Sequence, residues 1–101
     1  MERRLELHSI FESILNNKNV YFQPPMSKQM KYDAIRYCRK DIENVYANDG
    51  VYNQHDCYEV IAIYKNPDSD IPKKISRLPM CSFDRHYVAD NLNHDVFTIY
   101  Y

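Results

Sequence analysis

An α+β fold is predicted, with two helices on one face of a mixed or largely antiparallel sheet of four to five strands. Three observations carry it. Apolar residues recur at helical spacing in only two stretches, Leu7–Leu15 and Ile71–Leu78. Short runs rich in Val, Ile, Tyr and Phe fill most of the remainder. These runs mostly follow one another across turns with no helix between, as antiparallel strands do.

The elements read in order as α-β-β-β-α-β-β. Leu7, Ile10, Phe11, Ile14 and Leu15 form one apolar stripe of a helix over Glu2 to Leu15, stopped by Asn16-Asn17-Lys18-Asn19. Val20-Tyr21-Phe22 is a short edge strand closed by Pro24-Pro25, which offer no N–H to a ladder. Met26 to Lys31 connects it to a strand over Ala34 to Asp41. Glu43 to Gln54 reads as a loop around Asn48-Asp49-Gly50, with the only glycine placed where a positive φ is needed. Cys57 to Tyr64, almost wholly apolar, is the central strand. After the Asn66–Asp70 turn, Pro72 suits a first helical turn and Pro79 ends the second helix. Met80 to Val88 is a further strand, Ala89 to His94 a polar turn, and Val96 to Tyr101 the last strand.

The 101 residues fit one domain, with a core of modest size. Ten of the residues are tyrosine, against four phenylalanines and no tryptophan. Tyrosine suits surfaces that are wet in a monomer and dry in an assembly, and it also serves as a strand-forming aromatic; both readings stand at this point. Lys and Arg number 13 against 14 Asp and Glu, interspersed along the chain, which argues against a basic nucleic-acid face or a polybasic membrane anchor. Cys38, Cys57 and Cys81 are odd in number and lack any C-x-x-C pair, so neither a disulfide framework nor a zinc site is expected, and a reducing cytoplasm fits. The first residues are too polar for a signal-peptide core, and no apolar run approaches a membrane span.

Chemistry has one candidate cluster. Asp84 and His86 share a strand face, with Asp90, His94 and Asp95 close in sequence. A carboxylate and imidazoles can converge on a metal or a proton there, making a small metal-dependent hydrolase on Asp84, His86 and His94 one open reading. The motif lacks a required third ligand, loop or nucleophile elbow, and the simpler account is a structural cluster of paired charges. His8 is placed on the polar face of its helix, and His55-Asp56-Cys57 alternate in direction along a strand. Arg36-Tyr37-Cys38-Arg39-Lys40 interleaves basic and aromatic residues as a nucleic-acid platform does, but Asp33, Asp41 and Glu43 flank it. The element order also departs from that of a β-sheet RNA platform.

The run Leu78-Pro79-Met80-Cys81-Ser82-Phe83-Asp84-Arg85-His86-Tyr87 continues through Ala89-Asp90-Asn91-Leu92-Asn93-His94-Asp95-Val96-Phe97. With the Asn-Pro-Asp-Ser turn before a Pro-started helix, it resembles the tail-terminator or tail-completion proteins of long-tailed bacteriophages. Val20 to Pro25 and Tyr46 to Asp49 fit the same family. The resemblance covers most of the chain and is most specific from Pro67 to Tyr101. It implies a virion subunit, assembled in the host cytoplasm, that forms a hexameric ring with copies of itself. Such a ring caps the tail tube protein, meets the head connector or stopper, and lets DNA through its lumen without specific binding. It implies no cofactor and no catalytic residue, and the scattered cysteines and the His/Asp spacing lead to the expectation of no bound metal. Another neck protein, an adaptor or a stopper, is the alternative.

Near-neutral charge suits a channel that DNA must traverse, because clustered phosphate contacts would hold it. Tyr46, Asp49, Tyr52, Asp84, Arg85 and Tyr100 are the candidate interface residues, with Glu43–Gln54 expected as a mobile docking loop. The strand Val96–Tyr101 is expected at a sheet edge open to a neighbour.

Overall fold

The computed structural model describes the backbone of residues 3–24, 29–47 and 50–101, and their side chains except at 3, 41–47 and 50–56. The order is α1 (Arg3–Leu15), β1 (Val20–Phe22), β2 (Ala34–Ala47), β3 (Gly50–Tyr64), α2 (Ile71–Ser76), β4 (Cys81–Ala89) and β5 (Leu92–Tyr100). This is the α+β fold expected: one mixed five-stranded sheet in the order β1-β2-β3-β5-β4, both helices on one face. Only β1–β2 is parallel; the other neighbours run antiparallel.

Local chemistry explains the boundaries. Asn16, at φ 58°, ends α1 in the left-handed conformation that asparagine tolerates better than most residues. In the β4–β5 hairpin Ala89 pairs with Leu92, and Asp90 and Asn91 both take positive φ (53° and 62°). That is the two-residue turn whose twist matches flanking strands, and Asn and Asp fill it cheaply. Asn93 and His94, read as part of the turn, already belong to β5. At α2, Asp70 holds the N-cap position without a side-chain capping bond, and the Ile71 N–H donates instead to Ser69 Oγ at 3.3 Å.

The core lies between the helices and one sheet face. Leu7 and Phe11 of α1 and Ile71 and Ile75 of α2 pack on Ile35, Tyr37, Tyr58, Val60, Ala62, Phe97 and Ile99. Each Leu, Ile, Val or Phe among them contributes about 1.5–3 kcal/mol by leaving water. Tyr37 is the hub, its ring centroid 5.2 Å from Phe11, 4.9 Å from Phe22 and 5.8 Å from Tyr58. Tyr37, Tyr58 and Tyr64 are buried, so part of the tyrosine richness builds the core.

Two expectations are corrected. Of the expected loop Glu43–Gln54, residues 43–47 and 50–54 are strand: β2 runs to Ala47 and β3 starts at Gly50, with Glu43 paired to His55 and Val45 to Asn53. Gly50 is a strand residue opposite Ala47. Val45, Tyr46, Val51 and Tyr52, strand formers on both sides of a short polar stretch, account for the hairpin. The last strand is not an edge either. β5 sits between β3 and β4, and the edges are β1 and β4. Val96 and Phe97 are both buried though they point to opposite faces, which suits an interior strand.

The sheet is uneven in width. β1 reaches only Ile35–Tyr37 of β2, and β5 reaches only Cys57–Tyr64 of β3. Residues 41–47 and 50–56 therefore form a two-stranded ribbon that no other described strand flanks. β3, with 15 residues at about 3.3 Å each, spans about the molecule's 50 Å long dimension.

Candidate functional site

The hairpin register assembles the polar cluster differently from the sequence reading. Counting outward from the Asp90-Asn91 turn puts His86 opposite Asp95 and Tyr87 opposite His94. Adjacent strand residues point to opposite faces, so His86 lies on the helix side of the sheet and His94 on the other. His94 stacks on Tyr87 at 4.6 Å with planes 11° apart, and its Nδ1 lies 3.0 Å from the Leu92 carbonyl. Asp84 falls at the bulge between Phe83 and Arg85 and accepts a 2.7 Å hydrogen bond from the Arg85 guanidinium. The trio Asp84, His86 and His94 is thus not brought together. No group of three His, Cys, Asp or Glu placed to hold a metal occurs among the described residues.

Asp95, which the sequence reading set only nearby in the cluster, is a buried carboxylate and the partner of His86. Its Oδ1 is bonded to His86 Nδ1, and its Oδ2 accepts the Tyr64 hydroxyl at 3.2 Å. Burial, then the Asp95 charge, pushes the Tyr64 phenol up to about 12. An imidazole oriented by a buried carboxylate is competent for proton transfer. Asp95 lines a shallow hollow with Phe83, Phe97, Pro72, Lys73 and Ser76, and the Ser76 hydroxyl donates to the Lys73 carbonyl. The cluster ties β3, β5 and β4 together across the sheet. Hairpin arithmetic from a two-residue turn at 90–91 was the signal that finds Asp95.

Across the sheet, Arg36 is exposed while Tyr37 is buried under α1, so the two do not share a stacking platform. His8, read as a solvated residue, is half-buried with Nδ1 2.8 Å from the Tyr37 hydroxyl, which also accepts from Arg4 at 3.4 Å. Burial lowers the His8 pKa, Glu12 works against that, and Arg4 adds to it.

Of the candidate interface residues, Asp84 and Arg85 are exposed in β4. Tyr100 is half-buried near the end of β5, where its N–H donates to the Met80 carbonyl at 3.1 Å. Tyr46 and Tyr52 are placed in the β2 and β3 arms of the ribbon, and Asp49 lies outside the described residues. β4 is exposed from Ser82 through Val88, presenting Phe83 (56%), Val88 (64%) and Tyr87 (38%) beside an open strand edge.

No helix among the described residues is long and apolar enough to cross a membrane. Comparison with known protein families, curated proteins and solved structures finds no match.

Proposed function

We propose that the chain is a structural subunit of a bacteriophage neck, a tail terminator whose copies form a ring on the tail tube and receive the head connector. The observation that carries this reading is β4, an edge strand that leaves Phe83, Tyr87 and Val88 in water beside unpaired backbone groups. Soluble monomers protect such edges, and strand addition by a neighbour covers both the backbone and the aromatic rings. The family resemblance of Leu78 to Phe97 supports the same assignment, since β4 and its turn make up most of that segment. The bulge at Asp84 and the Asp84–Arg85 ion pair restrict which strand fits against β4, as a specific assembly requires.

The test mixes the purified chain with tail tube protein and follows mass by light scattering and native mass spectrometry. A ring of six on tube ends, and tails that stop growing at fixed length, are expected. Binding to the portal-side connector without any effect on tubes assigns the chain to the adaptor or stopper instead. A monodisperse monomer that leaves tube growth unchanged overturns the reading.

A further inference from the structure

Strand β4 complements itself. The two-residue turn at Asp90-Asn91 fixes which of its backbone groups are spare, because the residues closing such a turn, Ala89 and Leu92, exchange both hydrogen bonds. Alternating from there, Tyr87 and Arg85 turn their N–H and C=O towards β5, and Val88 and His86 turn theirs outward. At the other end the Tyr100 N–H donates to the Met80 carbonyl, so Ser82 points inward while Cys81 and Phe83 point outward. No described strand lies on that outer side.

The side chains follow the same alternation. Phe83 meets the core ring of Phe97 at 5.6 Å and His86 is bonded to Asp95, which puts both, with Val88, on the helix side of the sheet. Arg85 and Tyr87 take the opposite side, with the guanidinium 6.0 Å from the Tyr87 ring, itself stacked on His94. The bulge at Asp84 is what brings Phe83 and His86 to one side.

An antiparallel copy of β4 centred on His86 satisfies these constraints together. His86 faces His86 of the second copy and Phe83 faces its Val88, so residues with spare backbone groups meet one another. Phe83 and Val88, exposed on the helix side in one chain, then cover each other at both ends of the contact. Arg85 falls opposite Tyr87 on the other side, repeating between copies the cation–ring contact made within one chain. The next register with matching sides, centred on Arg85, sets two arginines face to face and leaves Phe83 against His86.

We propose that the free chain pairs with a second copy through β4, in the register centred on His86, and that this pair withholds the edge until a tail tube takes it. The contact uses the same patch on both copies, so it closes at two and does not continue into a ring. The withholding rests on the ring reading above; the pairing stands without it. With only Phe83–Val88 from each strand, the contact is at the small end of specific interfaces, below about 1,200 Å² in total. The pair is therefore expected to come apart on dilution from about 1 mM to about 1 μM.

Hydrogen exchange on the wild-type chain reads the pairing without any substitution. As concentration rises through that range, the His86 and Val88 amides are expected to gain protection about tenfold or more, while the Tyr87 amide, turned towards β5, stays unchanged. Sedimentation velocity should pass from monomer to dimer over the same range. Val88→Lys, at an exposed position, is expected to keep the melting temperature and to abolish the dimer. The register is read by mixing Phe83→Cys and Val88→Cys chains, each also carrying Cys81→Ser, under mild oxidation. A disulfide between positions 83 and 88 of different copies should form in higher yield than any cross-link in either chain alone. That linked pair should not assemble on tail tubes until a reductant opens it. A monomer at every concentration, exchange at His86 and Val88 that ignores concentration, or a Val88→Lys chain that still dimerises overturns the pairing and leaves the ring reading standing. Cross-linking no better in the mixture than alone overturns the register. A linked pair that caps tubes overturns the withholding, and with it the use of β4 in the ring. A wild-type chain that dimerises but never assembles on tubes overturns the ring reading and the withholding, and leaves the pairing.

Discussion

Tyr37 shows how a polar atom is kept in an apolar layer. Its ring packs among Phe11, Phe22 and Tyr58, while its hydroxyl lies 2.8 Å from His8 Nδ1 and accepts from Arg4. Replacing Tyr37 with Phe strands the half-buried His8 nitrogen, and a loss of about 1 kcal/mol is expected in urea denaturation. An unchanged midpoint would mean that water replaces the hydroxyl without loss. Tyr64 predicts a pH dependence. Its folded pKa of about 12 stands above the ordinary 10, so the unfolded chain gives up this proton first as pH rises. The stability it contributes is complete below pH 10 and declines between pH 10 and 12. Tyr37, raised chiefly by burial, adds to the decline in the same direction. Tyr64→Phe should flatten the alkaline loss measured by denaturant midpoints at successive pH values; an identical slope would remove Asp95 and burial as its cause. None of these partners is adjacent in sequence. His8 and Tyr37 are 29 residues apart and Tyr64 and Asp95 are 31, so residue types alone could not pair them.

Among the elements, the two helices were legible because burial writes a 3.6-residue period onto the chain: Leu7 with Phe11, and Ile71 with Ile75. The central strand was legible for the opposite reason, since Tyr58, Val60, Ala62 and Ile63 are buried across both faces, with Glu59 the single charged residue among them. The ribbon was not. No other described strand flanks it, and its Asn, Gln, Asp and Glu content imitates a loop. The same isolation predicts uneven protection. Val60 and Ala62 are paired on both sides, whereas Val45 and Asn53 have one strand neighbour each. Native-state hydrogen exchange at Val45 and Asn53 should be faster by orders of magnitude than at Val60 and Ala62 in the free protein. Equal rates would show that the ribbon is packed already within one copy.

For the whole molecule, element order was readable and neighbour order was not. The sequence places β4 before β5, but the sheet runs β3-β5-β4, with the later strand inside. The sign of it is compositional: Val96-Phe97 and Ile99 are apolar toward both faces, while Ser82-Phe83-Asp84-Arg85-His86 is polar enough to live at an edge. That arrangement also bears on the order in which the protein takes shape during synthesis. β3 cannot gain its second neighbour, and β4 cannot join the sheet at all, until the residues up to Tyr100 have left the ribosome. Phe97 and Ile99 are missing from the core until then, and the helices have only part of their floor. Nascent chains stalled before Leu92 should therefore be open to protease along their length, and chains extended beyond Tyr100 by a linker that clears the exit tunnel should become resistant in one step. Gradual gain of protection as α1, β2 and β3 emerge would mean that these elements hold together without β5.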